Sequence, residues 1–397
     1  RRTHINLRQA SAHQLALRSL FAVLLFLNSV QVSAQAAYAD DPVSAIVAAE
    51  NGNAARTGQM PGPGPLGPVA TKWIADAHYA LKTAPVVADG LVIIGVDDGS
   101  MRSFAIDTGL PVWQFLTGEP KLVTSPAYDD GRVFFGATDG NVYALDVNSG
   151  IELWRFETRR QWTFSSPAIA DGVVYIGFTD GTLYAIDATT GLERWHFKCD
   201  VGIWMAPAVV DGAVYVGTHR PLELSDGSLY AIDGQTGVEL WRYAPAMRGG
   251  FASAPSVADN MLYVTNFFGQ VVALDATTGT EIWKYTLGMY SLSTPAAIDG
   301  RVFVWGGTGE QVVALDSATG EKLWGVRVGF SITGDVVVAS GAVYVSAGGN
   351  VIALRALDGS ELWRFDQALS GLYTPAVVGG VIYAGSNDGN LYALWSY

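Results

Sequence analysis

Cysteine is nearly absent from this chain of 397 residues, which contains only Cys199. A single cysteine cannot form an intrachain disulfide, so the folded chain must be stabilised by its core alone. Histidine is also scarce, and His78, His196 and His219 lie at no spacing that is typical of a zinc site. The chain also lacks the Gly-x-Ser-x-Gly motif of a serine nucleophile. The sequence therefore offers no motif for zinc-dependent or serine-type hydrolysis.

Basic residues are few relative to acidic ones. The chain has 24 Lys and Arg against 37 Asp and Glu, which gives a formal net charge of −13. Four arginines and no acidic residue lie in residues 1–34, so removal of that segment would change the net charge to −17. Binding to nucleic acid or to an anionic membrane surface depends on Lys and Arg. The charge therefore predicts neither kind of partner.

Long hydrophobic runs are missing as well. One short apolar run, Leu20 to Leu27, follows the arginines and precedes small residues in A-x-A-like patterns. This order predicts a secretory signal peptide over residues 1–39, cleaved between residues 34 and 39. A bilayer span needs about 20 apolar residues, so we expect no membrane span. The predicted location is extracytoplasmic, either periplasmic or secreted.

Tryptophan, by contrast, recurs at a nearly constant interval along the chain. The interval varies from 39 to 46 residues. The eight positions are Trp73, Trp113, Trp154, Trp195, Trp241, Trp283, Trp324 and Trp363. A period near 40 residues with several short strands per unit is typical of a β-propeller. Because they recur in every unit, these rings are expected to fill the wedge between adjacent sheets rather than to bind a ligand.

Each repeat contains four β-rich runs separated by glycine turns. In the third repeat the turns are at Asp171-Gly172, Asp180-Gly181 and Thr190-Gly191. Asp-Gly between apolar runs favours a hairpin, since glycine adopts positive φ without steric cost. Eight inner strands are expected, but the eighth repeat ends before an outer strand. The sequence thus predicts an all-β, eight-bladed propeller of four-stranded antiparallel blades over residues 70–397, closed by an N-terminal outer strand around Trp73.

Residues 40–69 precede the first repeat and are predicted to lie outside the blades. Their last part, Met60 to Pro68, alternates proline with glycine and leucine. Such a composition is typical of a stiff connecting segment. We name residues 40–69 the lead-in, and the sequence leaves open whether it is ordered.

The repeats resemble the pyrroloquinoline quinone (PQQ)-type repeat family. The pattern Ala-x-Asp-x-x-Thr-Gly-x-x-x-Trp is clear at Ala185, Asp187, Thr190, Gly191 and Trp195. A short stretch of the lead-in, residues 53–58, also looks like a segment that precedes such propellers. The resemblance implies a quinoprotein dehydrogenase that holds PQQ and calcium, a cofactor-free scaffold such as the propeller subunit of the outer-membrane barrel-assembly machinery, or a sensor or other secreted domain. Fold alone does not choose between these functions.

Three departures from the dehydrogenase pattern favour the scaffold. Dehydrogenases of this family typically clamp PQQ with two adjacent cysteines, and this chain has one. They are usually longer, and their catalytic Asp and calcium ligands have no recognisable set here. We therefore expect a non-catalytic scaffold without a cofactor, although PQQ with calcium stays open. Its partner would be an envelope or extracellular protein, or a small planar or anionic ligand. The alternatives are a PQQ-dependent oxidoreductase and, more weakly, a carbohydrate-binding propeller.

The candidate binding site is the mouth of the propeller axis, around which the loops between blades should lie. These loops contain aromatic rings, which stack on planar groups, and cations, which pair with carboxylates. The predicted residues are Trp162, Trp204, Phe251, Tyr290, Phe330, Tyr373, Lys121, Arg159, Arg160 and Arg248. The alternative is that these rings only pack against neighbouring loops. No catalytic residue and no metal ligand is predicted.

Overall fold

The computed structural model describes residues 33–34, 47–118, 122–158, 162–219, 227–245, 250–288, 291, 293–306, 311–366 and 371–396. Apart from Ser33–Ala34, the predicted signal peptide lies outside these residues. No helix in the described ranges is long and apolar enough to cross a membrane. Two short strands, β1 (Ser33–Ala34) and β2 (Asn51–Gly52), pair in parallel.

The remaining strands form eight four-stranded sheets. The innermost strands are β4 (Val86–Ala88), β8 (Ala127–Asp129), β12 (Ala168–Ala170), β16 (Ala208–Val210), β20 (Ser256–Ala258), β24 (Ala296–Ile298), β28 (Val337–Ala339) and β32 (Ala376–Val378). The second strands are β5 (Leu91–Gly95), β9 (Arg132–Gly136), β13 (Val173–Gly177), β17 (Ala213–Gly217), β21 (Met261–Thr265), β25 (Arg301–Trp305), β29 (Ala342–Ala347) and β33 (Val381–Gly385).

The outer half of each sheet follows in the same order. The third strands are β6 (Ser100–Ala105), β10 (Asn141–Asp146), β14 (Thr182–Asp187), β18 (Leu229–Asp233), β22 (Gln270–Asp275), β26 (Val312–Asp316), β30 (Asn350–Arg355) and β34 (Asn390–Trp395). The outermost strands are β7 (Pro111–Leu116), β11 (Glu152–Glu157), β15 (Glu193–Lys198), β19 (Glu239–Tyr243), β23 (Glu281–Thr286), β27 (Lys322–Val326), β31 (Glu361–Phe365) and β3 (Ala70–Asp76).

Each sheet is one blade, and the innermost strands of successive blades lie side by side around an axis. Blade 1 is β4 to β7, and the numbering continues to blade 8, which consists of β32, β33, β34 and β3. The innermost strands contact one another in sequence, and β32 contacts β4. The predicted all-β, eight-bladed propeller is confirmed, and no helix occurs in the part of the chain described.

Ring closure uses the N-terminal strand that the tryptophan spacing predicted. Strand β3 pairs antiparallel with β34, and Trp73 lies opposite Ala393 in the register. The other outermost strands hold their tryptophan opposite the corresponding position, as Trp195 opposite Ala185. The first and last segments of the propeller therefore share one blade, which leaves the ring without an open end.

A repeated contact joins each blade to the next. The indole N–H of Trp154 donates to the Ala188 carbonyl of the following blade at 3.0 Å. The same ring covers Gly191, where an added Cβ would lie 2.7 Å from the indole. Six further glycines contact the tryptophan of the preceding blade in the same way, at positions 109, 150, 237, 279, 320 and 359. This contact explains why a glycine precedes seven of the eight outermost strands and why each outermost strand carries a large ring.

Candidate functional site

The two faces of the ring differ in what they carry. The turns between first and second strands and between third and outermost strands lie on one face, which we name the turn face. The loops between blades and the turns between second and third strands lie on the other, which we name the mouth face. Because the innermost strands run from the mouth face to the turn face, the residues that precede them surround the axis at the mouth face.

The lead-in occupies the axis. Residues 47–63 pass the innermost strands in chain order, and their backbone bonds to seven of the eight blades. The amide N–H groups donate to lead-in carbonyls in these pairs: Val87 to Val47, Tyr128 to Ala48, Val209 to Ala54, Val257 to Ala55, Ala297 to Thr57, Val338 to Gly58, Gly379 to Gly62 and Gly380 to Pro63. The inward edges of the innermost strands are thus paired by the chain's own N-terminal segment.

Arg56 crosses the axis to reach the remaining blade. Its Nη2 donates to the Pro167 carbonyl of blade 3 at 3.3 Å, and its Nε donates to the Pro207 carbonyl of blade 4. The side chain is fully buried, and the residue has a positive φ of 56°. A non-glycine residue in this conformation is strained unless its surroundings hold it. Here the two carbonyls and a buried carboxylate hold it.

Two buried carboxyl groups accompany Arg56. Glu50 lies on the lead-in, and its Oε2 is 3.9 Å from Arg56 Nη1. Its other oxygen, Oε1, accepts a hydrogen bond from the Ser125 hydroxyl at 2.7 Å. Asp335 precedes β28, and its Oδ1 accepts from the Thr294 amide at 2.9 Å. The axis therefore contains one guanidinium and two carboxyl groups, which we name the axial triad.

Burial controls the ionisation of this triad. Loss of hydration raises the pKa of Glu50 to about 7, against the opposing effect of Arg56. Loss of hydration also raises the pKa of Asp335 to about 8, and Glu50 adds to the rise. Burial lowers the pKa of Arg56 to about 10, so this group stays protonated near neutral pH. Both carboxyl groups are therefore at least partly protonated near neutral pH.

The triad also leaves polar atoms without partners. Among the described residues, Glu50 Oε2 and Arg56 Nη1 are buried and form no hydrogen bond. Together with the buried carboxyl group of Asp335, they make the axis a polar interior rather than an apolar core. No three His, Cys, Asp or Glu side chains cluster as a metal site would require, within the ranges that the structure describes.

The lead-in also completes the seam between blades 7 and 8. Blade 8 has no turn before its outermost strand, because that strand comes from the N-terminus. The Pro65 carbonyl supplies the missing acceptor, since Trp363 Nε1 donates to it at 2.9 Å and the Tyr344 hydroxyl at 3.1 Å. For Trp195 and Tyr175 of blade 3 the corresponding acceptor is the Gly234 carbonyl of blade 4.

The structure separates the predicted mouth residues into three groups. Trp162 and Phe330 are exposed, at 56% and 44%. Trp204 is half-buried and stacks on Phe164 with ring centroids 5.2 Å apart. Phe251 and Tyr373 are buried, and the Tyr373 hydroxyl donates to Asn387. The remaining predicted residues lie outside the described ranges: Lys121, Arg159, Arg160, Arg248 and Tyr290. A ligand-binding role for these residues stays a prediction.

His219 lies under the mouth face and has no counterpart in the other blades. It is fully buried, and its ring packs 5.9 Å from Trp204 and 5.8 Å from Phe267. Burial lowers its pKa to about 4, so the imidazole is neutral. The nearby Phe251 backbone partly opposes this lowering of the His219 pKa. Neither ring nitrogen forms a hydrogen bond within the described ranges. His219 is part of an aromatic cluster rather than an accessible acid or base.

Sequence reasoning missed the axial triad. Glu50 and Arg56 lie in the lead-in, and Asp335 lies at a loop position, two residues before β28, where the other repeats have no acid. The only signal was the short stretch of residues 53–58, which contains Arg56 and resembles a segment found before such propellers. A single arginine carries no periodic pattern, so nothing in the sequence indicated that this side chain is buried on the axis.

Comparison with known proteins gives a family and a fold. A family model described as outer membrane protein assembly factor BamB matches residues 70–161, 138–248, 225–327 and 269–396. No curated protein matches this sequence. One similar solved structure is BamB from Moraxella catarrhalis, which is 20% identical with a TM-score of 0.68. That alignment covers 83% of this chain and all of BamB.

Two further solved structures are enzymes. Quinohemoprotein alcohol dehydrogenase from Comamonas testosteroni is 16% identical with a TM-score of 0.74, over 88% of this chain and 80% of the enzyme. A europium-containing methanol dehydrogenase is 13% identical with a TM-score of 0.74, over 90% of this chain and 99% of the enzyme. At these identities the likeness shows the fold alone, and it does not distinguish a scaffold from an enzyme.

Proposed function

Because the chain belongs to the family of the outer membrane protein assembly factor BamB, we propose that it is a non-catalytic scaffold that binds another protein outside the cytoplasm. The observation that carries the proposal is the occupied axis. Because residues 47–63 fill the axis, the faces and the rim of the propeller are the surfaces that remain to bind a partner protein. The mouth face carries the exposed aromatic rings Trp162 and Phe330. Such rings are favoured at protein interfaces.

The described residues do not fit PQQ. PQQ is a planar tricarboxylate, so its site needs several cations and an aromatic face on which it can stack. On the axis, one cation, Arg56, is already bound to two carbonyls and opposed by Glu50 and Asp335. At the mouth, one face of Trp204 is covered by Phe164. Cys199 is buried and single, so it offers no paired clamp.

The described residues do not fit the accompanying metal ion either. The axial carboxyls, Glu50 and Asp335, lie beside a guanidinium, which repels a cation. Burial raises the pKa of both carboxyl groups, so they hold protons that a metal ion would have to displace. We therefore derive no reaction through PQQ or a metal ion for this chain.

The scaffold proposal is tested by crosslinking at the mouth face. A photoreactive amino acid replaces Trp162 or Phe330 in cells that express the full chain, and covalent adducts are identified by mass spectrometry. Both positions should form an adduct with the same envelope protein. The matched control is Trp395, which is also exposed, at 41%, but lies at the end of β34 on the turn face.

Two results would argue against the proposal. Adducts of equal yield at Trp395 would mean that the mouth face has no preference for the partner. A saturable rise in melting temperature with PQQ and calcium, followed by dye reduction with an alcohol, would identify a quinoprotein, because a ligand that binds the folded state must stabilise it. A scaffold should show neither the rise nor the dye reduction.

A further inference from the structure

We propose that the axis of this propeller is a binding surface for an extended polypeptide, and that residues 47–65 of the same chain are its resident ligand. Arg56 is the anchor of this ligand. The partner that fits the surface is thus a segment with small residues, carbonyls spaced to meet successive innermost strands, and one arginine. The inference concerns the axis and does not depend on which protein binds the mouth face.

The segment behaves as a ligand because the blades are complete without it. Each of the eight sheets has its four strands, and the lead-in joins none of them as a fifth. Instead it meets a blade with one or two hydrogen bonds and moves to the next, as Ala54 meets blade 4 and Ala55 meets blade 5. Backbone pairing with a free strand edge is a recurring way to bind an extended peptide.

The side chains in the middle of the segment support the same interpretation, whereas Val47 and Met60 near its two ends are buried in a core cluster formed with blades 7, 8 and 1. Residues 51–59 bring no large apolar group to the axis: they contain Gly52, Ala54, Ala55 and Gly58. An added Cβ at Gly58 would lie 2.8 Å from Ala296 Cα, so a small residue is required there. Attachment in this stretch therefore depends on backbone pairing and on Arg56, whereas a strand of the core would bury apolar side chains.

The anchor is specific because Arg56 makes contacts that no other residue of the segment makes. Its guanidinium reaches carbonyls on two blades, and Glu50 of the same segment lies beside it while accepting from Ser125 of blade 2. Hydrogen bonds from a charged group to buried acceptors are stronger than neutral ones. Loss of the guanidinium would also leave the carbonyls of Pro167 and Pro207 without these donors.

The chain offers a place to separate the segment from the ring. Leu66 is exposed, and an added Cβ at Gly67 would meet no atom within 4 Å. A protease recognition sequence inserted between Leu66 and Gly67 would leave β3, which starts at Ala70, attached to the ring. The full mature chain is folded first, labelled with a fluorophore at its N-terminus and then cleaved.

The expected result is that the labelled piece elutes with the ring in gel filtration after cleavage. An excess of a synthetic peptide of residues 45–66 should then displace it. The Arg56→Ala peptide should need a concentration at least about tenfold higher for the same displacement. The Gln59→Ala peptide is the matched control, since among the described residues the Gln59 side chain forms no hydrogen bond; it should compete as well as the unmodified peptide.

Each contrary outcome overturns a stated part of the proposal. A folded ring that releases the piece at once would show that the axis does not bind the segment. A ring that unfolds on cleavage, detected by circular dichroism, would show that the segment is part of the core and not a ligand. Equal competition by the Arg56→Ala and unmodified peptides would show that Arg56 is not the anchor.

Discussion

At the scale of the residue, burial decides what a reactive side chain can do in this protein. Cys199 is the only thiol of the chain, and its side chain packs in the core cluster that includes Phe197 and Ile203. Burial raises the pKa of the Cys199 thiol, and Asp200 adds to the rise. Only the thiolate reacts with alkylating reagents, so a buried thiol with a raised pKa is inert.

We therefore predict that Cys199 reports unfolding of the propeller. Iodoacetamide at pH 8 should not modify the native chain, and modification in increasing denaturant should follow the loss of tryptophan fluorescence. Mass spectrometry of the quenched reaction measures the modified fraction. Modification of the native chain at the rate of the denatured chain would contradict the prediction.

Residues that recur were predictable, and those that occur once were not. The blade tryptophans could be identified because eight copies share one spacing, and a ring needed in every blade leaves a periodic trace. Arg56 and His219 each occur in a single structural context. Their burial follows from the packing of several distant segments, and no local pattern in the sequence reports it.

At the scale of the element, the turn before the outermost strand of blades 1 to 7 must satisfy two conditions at once. Gly191 has a φ of 71°, and an added Cβ would lie 2.7 Å from the Trp154 ring. Gly172 has a φ of 68°, but an added Cβ would meet no atom within 4 Å. The two glycines therefore separate the cost of the backbone conformation from the cost of contact with the next blade.

The corresponding prediction compares two alanine variants by chemical denaturation. Gly172→Ala should lower the free energy of unfolding by about 1 kcal/mol, because alanine is disfavoured at positive φ. Gly191→Ala should lower it by about 2 to 4 kcal/mol, because the Trp154 ring must also move. The tryptophan emission of Gly191→Ala should shift as well. Equal losses for the two variants would show that the indole contact contributes little.

The seam between blades 7 and 8 depends on Gly64, which lies against a tyrosine ring and not against an indole. Gly64 precedes Pro65, and an added Cβ would lie 2.8 Å from Tyr344 Cζ. We predict that Gly64→Ala moves the Pro65 carbonyl away from Trp363 and Tyr344 and lowers the free energy of unfolding by about 2 kcal/mol. Gly67→Ala is the control, because open space surrounds that position, and it should be neutral. A neutral effect of Gly64→Ala would contradict the prediction.

The blades could be predicted as elements, whereas the path of the lead-in could not. Four strands per repeat follow from alternating apolar residues and Asp-Gly turns, and closure by β3 follows because the last repeat lacks an outermost strand. Between Ala54 and Gly62 the lead-in pairs with blades 4 to 8 in turn, at intervals of one to four residues. Such pairing produces no period of two or of 3.6 residues, so its sequence resembles that of a linker.

At the scale of the whole molecule, the axial triad links the stability of the ring to pH. Glu50 belongs to the lead-in, Asp335 precedes β28 in blade 7, and Arg56 joins blades 3 and 4. Burial raises the pKa of Glu50 to about 7 and of Asp335 to about 8, above their ordinary values of 4.5 and 3.8. The folded chain therefore binds more protons than the unfolded chain between about pH 4 and pH 8.

The sign of the effect follows from this excess of bound protons. Because the unfolded chain releases these protons at lower pH, the free energy of unfolding falls as the pH rises through the folded pKa values. Below about pH 4 the opposite trend begins, since Arg194 and the turn amides lower the pKa of Asp187, which favours the folded chain only while that carboxyl is ionised. Stability should therefore be greatest in mildly acidic solution.

We predict that the free energy of unfolding decreases by on the order of 3 kcal/mol between about pH 5 and pH 8. A single buried carboxyl group whose pKa rises by about two units on folding accounts for a decrease of this size. Glu50→Gln keeps an oxygen that can accept from Ser125 but no longer titrates, so it should reduce this slope and leave the part that Asp335 contributes. Glu321→Gln, at an exposed position, is the matched control and should leave the slope unchanged. Denaturant titrations at several pH values measure all three chains. An equal slope in Glu50→Gln and the unmodified chain would mean that Glu50 does not contribute to the pH dependence, and the protonation inferred for Glu50 would be wrong.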